Sequence, residues 1–158
     1  MSYRTILFDT PEPMVARITI NRPERMNAYT NPMCDEIVDA LRAYTEDDGL
    51  RCLILTGTGR GFCTGGDVSG KPRDGEIPSV HYRNKQMGHG QEMRVGMHRL
   101  IATLHRMDKP VIAAINGAAV AGGLTLALAC DFRIAADTAR LGDTSGKFAL
   151  LPDEGGAW

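Results

Sequence analysis

The sequence has no excess of either charge: 18 basic residues stand against 19 acidic ones, for a formal net charge of −1. Such a balance supplies no global field to draw in nucleic acid, so that function class is set aside. No stretch approaches 18 consecutive apolar residues, which argues against a helical membrane span. The opening MSYRTILFDT lacks a basic segment followed by an apolar run, so no secretory signal is read and the expected compartment is the cytoplasm. Cys34, Cys52, Cys63 and Cys130 are scattered, with no CxxC pair and no zinc-type spacing. Reduced, buried thiols are expected, with no metal and no redox cofactor.

Three common catalytic signatures are missing as well. The dinucleotide fingerprint GxGxxG fails because Phe62 stands where the third glycine belongs in Gly57-Thr58-Gly59-Arg60-Gly61-Phe62. No GK[ST] occurs, so there is no P-loop. A GxSxG nucleophile elbow is absent too, since Asp67 precedes Ser69 by two.

What the sequence does have is glycine, 18 residues in all, concentrated at 57–70 and 117–123. The rest is ordinary: 158 residues, 43% hydrophobic and 23% charged, fit one domain or a piece of one. Tyr3–Asp9 and Val15–Asn21 read as strands joined by a turn at Thr10–Pro13. Asn31-Pro32 reads as a helix start with Asn31 as N-cap, followed by Met33, Ile37, Leu41 and Tyr44 at helical spacing. Cys52–Thr56 and Val111–Ile115 are short apolar strands of the kind buried on both faces. The polar, Gly- and Pro-broken segment 70–90 predicts a mobile loop, and Met93, Met97, Leu100, Ile101 and Leu104 mark one helix after it. Gly122–Ala129 reads as a short helix and Phe132–Ala135 as a strand.

Apolar strand, glycine loop and helix thus occur twice, which points to an α/β protein with parallel strand pairing. Gly66 and Gly122 lie near the starts of helical segments, where free N–H groups favour negative charge. Two such donors would make an oxyanion hole. Spacing alone leaves open that these glycines merely allow tight turns.

Five segments taken together resemble the crotonase (enoyl-CoA hydratase/isomerase) superfamily: Asn21-Arg22-Pro23 with Asn27-Ala28, Gly61–Asp67, Lys109–Gly117, Ala121-Gly122-Gly123, and Ala129–Ala136. The match follows the family's order from about residue 3 to residue 158. It implies a spiral of β-β-α units, here over 1–158, with acyl-CoA bound between them and CoA arriving as part of the substrate. Gly66 and Gly122 fall where the family places its oxyanion donors. Segments 25–28 and 63–68 match those that cradle CoA, which gives Arg25, Ala28, Thr64, Asp67 and Val68 as expected substrate contacts. Asp67 itself reads as a structural cap rather than a catalyst. Family members are longer, with a C-terminal helical region that supports trimers. A chain ending at Trp158 would lack that region, and a homotrimer or homohexamer is expected of the full-length protein.

The two glutamates of a hydratase align with Thr125 and Ser145, and neither hydroxyl replaces a carboxylate base near neutral pH. Asp153 falls where other branches place an acid or nucleophile, and His98 matches a histidine position of the dehalogenase branch. The resemblance therefore implies proton transfer by Asp153, assisted by His98 or Ser145, with Glu154 the lesser candidate. A half-buried helix residue (His98) and a cap after Pro152 (Asp153) are the structural alternatives. Two other functions stay open: hydrolysis of a thioester or C–C bond on the same oxyanion hole, and a catalytically degenerate acyl-CoA-binding subunit.

Overall fold

The computed structural model describes residues 2–67 and 89–156. The chain begins with an antiparallel pair, β1 (Ile6–Glu12) and β2 (Val15–Ile20). Their turn lies at Pro13-Met14, later than Thr10–Pro13. Thr10 and Pro11 continue the strand through a register shift between Asp9 and Glu12. β1 is the sheet edge, where a proline without an N–H is tolerated. Tyr3–Thr5 stay outside the strand, and the Arg4 and Thr5 N–H groups instead donate to the Glu36 carboxylate at 2.9 and 2.8 Å.

Helix α1 (Asn31–Glu46) is capped by Thr30, one residue before the expected Asn31, and its hydroxyl accepts the Met33 N–H at 3.3 Å. Met33, Ile37, Leu41 and Tyr44 are all buried, as their spacing predicts. The next helical stretch is not one helix. It breaks at Gly96 into α2 (His89–Val95) and α3 (Met97–His105). The cause is close approach: a β-carbon at 96 would lie 1.9 Å from the Asn31 amide oxygen. The stripe Met93, Met97, Leu100, Ile101 and Leu104 is buried across both helices.

The remaining chain winds as strand pairs. β3 (Cys52–Gly57) is followed by β4 (Gly61–Cys63), β5 (Val111–Ile115) by β6 (Ala118–Val120), and β7 (Phe132–Ala135) by β8 (Leu141–Gly142). The first of each pair joins the sheet β1-β2-β3-β5-β7 and the second joins β4-β6-β8. Apart from β1/β2, every pairing is parallel. α2 and α3 follow β4, and α4 (Gly122–Leu128) follows β6, which makes the spiral of β-β-α turns. Both glycine segments thus contain a three-residue strand, too short to show a period in sequence.

The core lies between the larger sheet and helices α1 and α3. β3 and β5 are buried on one face only: Leu53, Leu55, Val111, Ala113 and Ile115 point inward, while Ile54 and Ile112 on the other face are half-buried. β7 exposes all four of its side chains. Most of the segment 70–90 lies outside the described residues.

Buried polar residues fix the chain where hydrophobic packing cannot. The Asn27 amide oxygen accepts the Arg22 N–H at 2.9 Å, and its NH2 donates to the Thr58 and Gly61 carbonyls at 2.9 and 2.7 Å. Asn27 also holds φ at 58°, a conformation asparagine tolerates better than alanine. Asn27→Ala should therefore lower stability by about 2–4 kcal/mol, measured by urea unfolding, because three backbone groups lose a buried partner.

Candidate active site

The first glycine loop is set by its pairing with the segment before α1. The Tyr29 N–H donates to the Gly65 carbonyl at 2.8 Å, and the Asp67 N–H donates to the Tyr29 carbonyl at 2.9 Å. This short parallel bridge leaves out the N–H of Gly66. Arg22, 1% exposed, clamps the arrangement: its guanidinium donates to the Asp67 carboxylate at 2.8 Å and to the Ala28 carbonyl. The Thr64 hydroxyl donates to the Met26 carbonyl at 3.1 Å.

The second loop ends in a strained residue, Ala121 at φ 48°, before Gly122 opens α4. Its glycines are required by close approach. A β-carbon at Gly123 would lie 1.9 Å from the Cys63 carbonyl oxygen, and one at Gly122 would lie 2.5 Å from the Tyr29 ring. The two loops also meet directly, since a β-carbon at Gly65 would sit 3.7 Å from the Gly122 nitrogen. The Tyr29 hydroxyl reaches the Gly66 side, 3.4 Å from a β-carbon built there. Gly66 and Gly122 thus flank one buried tyrosine.

A cavity of about 360 Å³ opens at this place, lined among others by Tyr29, Thr64, Gly66, Ser145, Asp153 and Glu154. Glu154 is buried and faces Gly122, its Oε1 3.1 Å from a β-carbon built on that glycine. Burial pushes the Glu154 carboxyl above its ordinary pKa, and the neighbouring Asp153 adds to the rise. Hydrogen bonds from its own N–H and from the Gly122 N–H oppose it. Burial, helped by the Glu154 charge, also drives the Tyr29 phenol well above its usual range, so it stays a hydroxyl donor.

The other expected residues fall into place unevenly. Asp153 is half-buried at the cavity. His98, on α3, directs its Nε2 at the Asp153 main-chain carbonyl, so it holds the loop rather than the carboxylate. Ser145 is buried, with its N–H donating to the Asp143 carboxylate at 2.9 Å. That bond, with one from the Ser145 hydroxyl, keeps the Asp143 carboxyl below its ordinary pKa. Thr125 is buried on α4 and its hydroxyl lies beside Gly156. Arg25 is exposed on the short 3-10 turn Pro23–Arg25, and Ala28 is buried with its carbonyl taken by Arg22. Val68 and any helix start after Gly66 lie outside the described residues. Asp67 serves as the structural partner of Arg22. Sequence reasoning missed the structural parts of Tyr29 and Arg22. The Arg22–Asp67 pair spans 45 residues and leaves no local signal.

The family model for enoyl-CoA hydratase/isomerase matches residues 11–158. The chain belongs to the enoyl-CoA hydratase/isomerase family. It is 38% identical over 144 residues to the 1,2-epoxyphenylacetyl-CoA isomerase of Escherichia coli K12, covering 91% of this chain and 52% of that protein. It is 34% identical to the crotonyl-CoA hydratase of Syntrophomonas wolfei, with 99% and 56% covered. Its fold matches the crystal structure of an enoyl-CoA hydratase from Bacillus anthracis at a TM-score of 0.80 and 33% identity, covering 96% of this chain and 55% of that one. A monofunctional enoyl CoA isomerase from Mycobacterium smegmatis matches at a TM-score of 0.72 and 38% identity, with 97% and 58% covered. The α/β spiral is therefore the crotonase fold, and the chain spans about half the length of the curated relatives it matches.

In this member of the family, the clamp on the first loop can be tested directly. Asp67→Ala leaves the buried Arg22 guanidinium without its carboxylate and should cost about 3–5 kcal/mol in chemical unfolding. Asp67→Asn, which keeps a hydrogen-bond acceptor, should cost less.

Proposed function

We propose that this chain builds the reaction centre of an enzyme that binds an acyl-CoA thioester and moves a proton next to its carbonyl. The Gly66 and Gly122 N–H groups polarise the thioester oxygen and hold the enolate, and Asp153 is the base. The observation that carries this reading is the position of the Asp153-Glu154 carboxylates on the cavity beside both glycine loops. An enolate places negative charge on the carbonyl oxygen, where fixed backbone donors act without reorganising. The base takes a proton from one carbon and returns it to another, so no water or redox partner is consumed.

Isomerisation is favoured over hydration on the residues themselves. Adding water needs one group to activate it and another to protonate the α-carbon, and the positions that match the hydratase glutamates carry Thr125 and Ser145. The relatives' names do not decide the matter, since the E. coli protein is called an isomerase and the S. wolfei protein a hydratase. We also propose that the exposed Leu128, Phe132 and Ile134, 50–65% accessible, are covered by assembly into a trimer or a dimer of trimers. Light scattering on the full protein should return three or six subunits, and a monodisperse monomer would refute this part.

Asp153→Asn should lower α- or γ-proton exchange of an acyl-CoA by about 10²–10⁴, followed as deuterium uptake by NMR. Acyl-CoA affinity should stay within about threefold, since the amide keeps the shape and loses only the base. Rapid hydration of crotonyl-CoA that survives Asp153→Asn would overturn the assignment, as would release of free acid from the thioester.

A further inference from the structure

We propose that Glu154 is a built-in competitor for the second oxyanion donor, occupying the Gly122 N–H until it gives way to the thioester oxygen. The inference rests on the acyl-CoA reading above and adds a residue that this reading does not use. Three observations carry it. Glu154 is 8% exposed, so its carboxyl group is committed to the interior. Its Oε1 and Cγ approach to 3.1 and 3.2 Å of a β-carbon built on Gly122, while the Tyr29 ring closes the other side at 2.5 Å. The Gly122 N–H also faces this carboxylate closely enough to favour its ionised form. The space against Gly122 therefore holds Glu154 or a substrate oxygen, and not both.

Electrostatics make the competition depend on protonation. The titratable groups that face Glu154 are Asp153 in its own segment, Tyr29 before α1 and Cys63 on β4, with His98 of α3 held on the Asp153 carbonyl. Asp153, Tyr29 and Cys63 can each only be neutral or negative, so an ionised Glu154 is steadied by hydrogen bonds, that of Gly122 among them. An enolate oxygen at the same N–H would face a second anion at contact distance, which disfavours both. The competent state has a neutral Glu154 beside the base Asp153. Burial raises the Glu154 pKa, so the neutral acid persists to higher pH than in an ordinary glutamate. The sign follows: below that pKa the donor is open to substrate, and as pH rises through it the carboxylate forms, takes Gly122 and weakens binding.

Two CoA compounds separate the possibilities by calorimetry on the full protein. Acetyl-CoA carries the carbonyl oxygen that needs Gly122, whereas S-ethyl-CoA lacks it. Acetyl-CoA affinity should fall about tenfold per pH unit along the upper limb, in proportion to the neutral fraction, while S-ethyl-CoA stays flat. Glu154→Gln should flatten the acetyl-CoA profile and bind it at high pH as the parent does at low pH. A flat acetyl-CoA profile in the parent protein, the same slope for both compounds, or an unchanged slope in Glu154→Gln would each overturn the inference and leave the acyl-CoA reading standing. Failure of both compounds to bind at any pH would overturn that reading itself.

Discussion

The site depends on one buried guanidinium. Arg22 lies between two stretches of chain far apart in sequence, holding the Ala28 carbonyl on one side and the Asp67 carboxylate on the other. Between them runs the Tyr29–Gly66 bridge, which fixes the direction of the first glycine loop. A buried ion pair is a poor source of net stability, because desolvating two charges offsets most of their attraction. Its value is in specifying position. Removing either partner leaves a charge without a solvent, so alternative packings of this loop are strongly disfavoured. Asn27 extends the same constraint to the Thr58–Gly61 turn, so the backbone entering β4 is held by a buried side-chain amide.

Against this fixed loop the second is held by contact. Gly123 is required because α4 starts hard against the Cys63 carbonyl, and Gly122 because the Tyr29 ring occupies the space a side chain would fill. Ala121 bears an unfavourable φ of 48° as part of the same close approach. Tyr29 therefore works as a spacer between two backbone segments, and its raised pKa keeps it neutral in that role. The glycines that mark the sequence are the trace of this crowding. Their absent side chains let two loops and a ring meet within a few ångströms.

How much of this was legible in the sequence follows from range. The helix face of α1 and the buried stripe Met93–Leu104 rest on local periodicity, the parallel pairing rests on the alternation of strands and helices, and the structure contains all three. Element boundaries shifted where a tertiary contact decided them: Glu36 drew Arg4 and Thr5 off β1, and Asn31 forced the break at Gly96. That the two glycine loops come together around Tyr29 is not legible in spacing, which alone fits simple turns. Tyr29 escaped because an aromatic after Asn27-Ala28 looks like any core residue. His98, expected to assist Asp153, contacts the Asp153 main-chain carbonyl, a distinction that sequence does not carry.

The placement of the acidic pair has a chemical consequence. A carboxylate on α4 or at position 145 would approach the substrate from a helix or from the turn after β8, and two of them could address a water held between. Here both carboxylates are adjacent residues in the segment after Pro152, and adjacent side chains share one local field. Burial, with the neighbouring Asp153 adding to it, lets Glu154 keep its proton more readily than an ordinary glutamate. Such a pair is suited to lending and recovering a single proton, and ill suited to activating water with one group while protonating carbon with the other. Thr125 and Ser145 reinforce the same bias, because both residues are buried and neither carries a carboxyl group. The chemistry we propose for this site is therefore set by where its acids stand on the backbone.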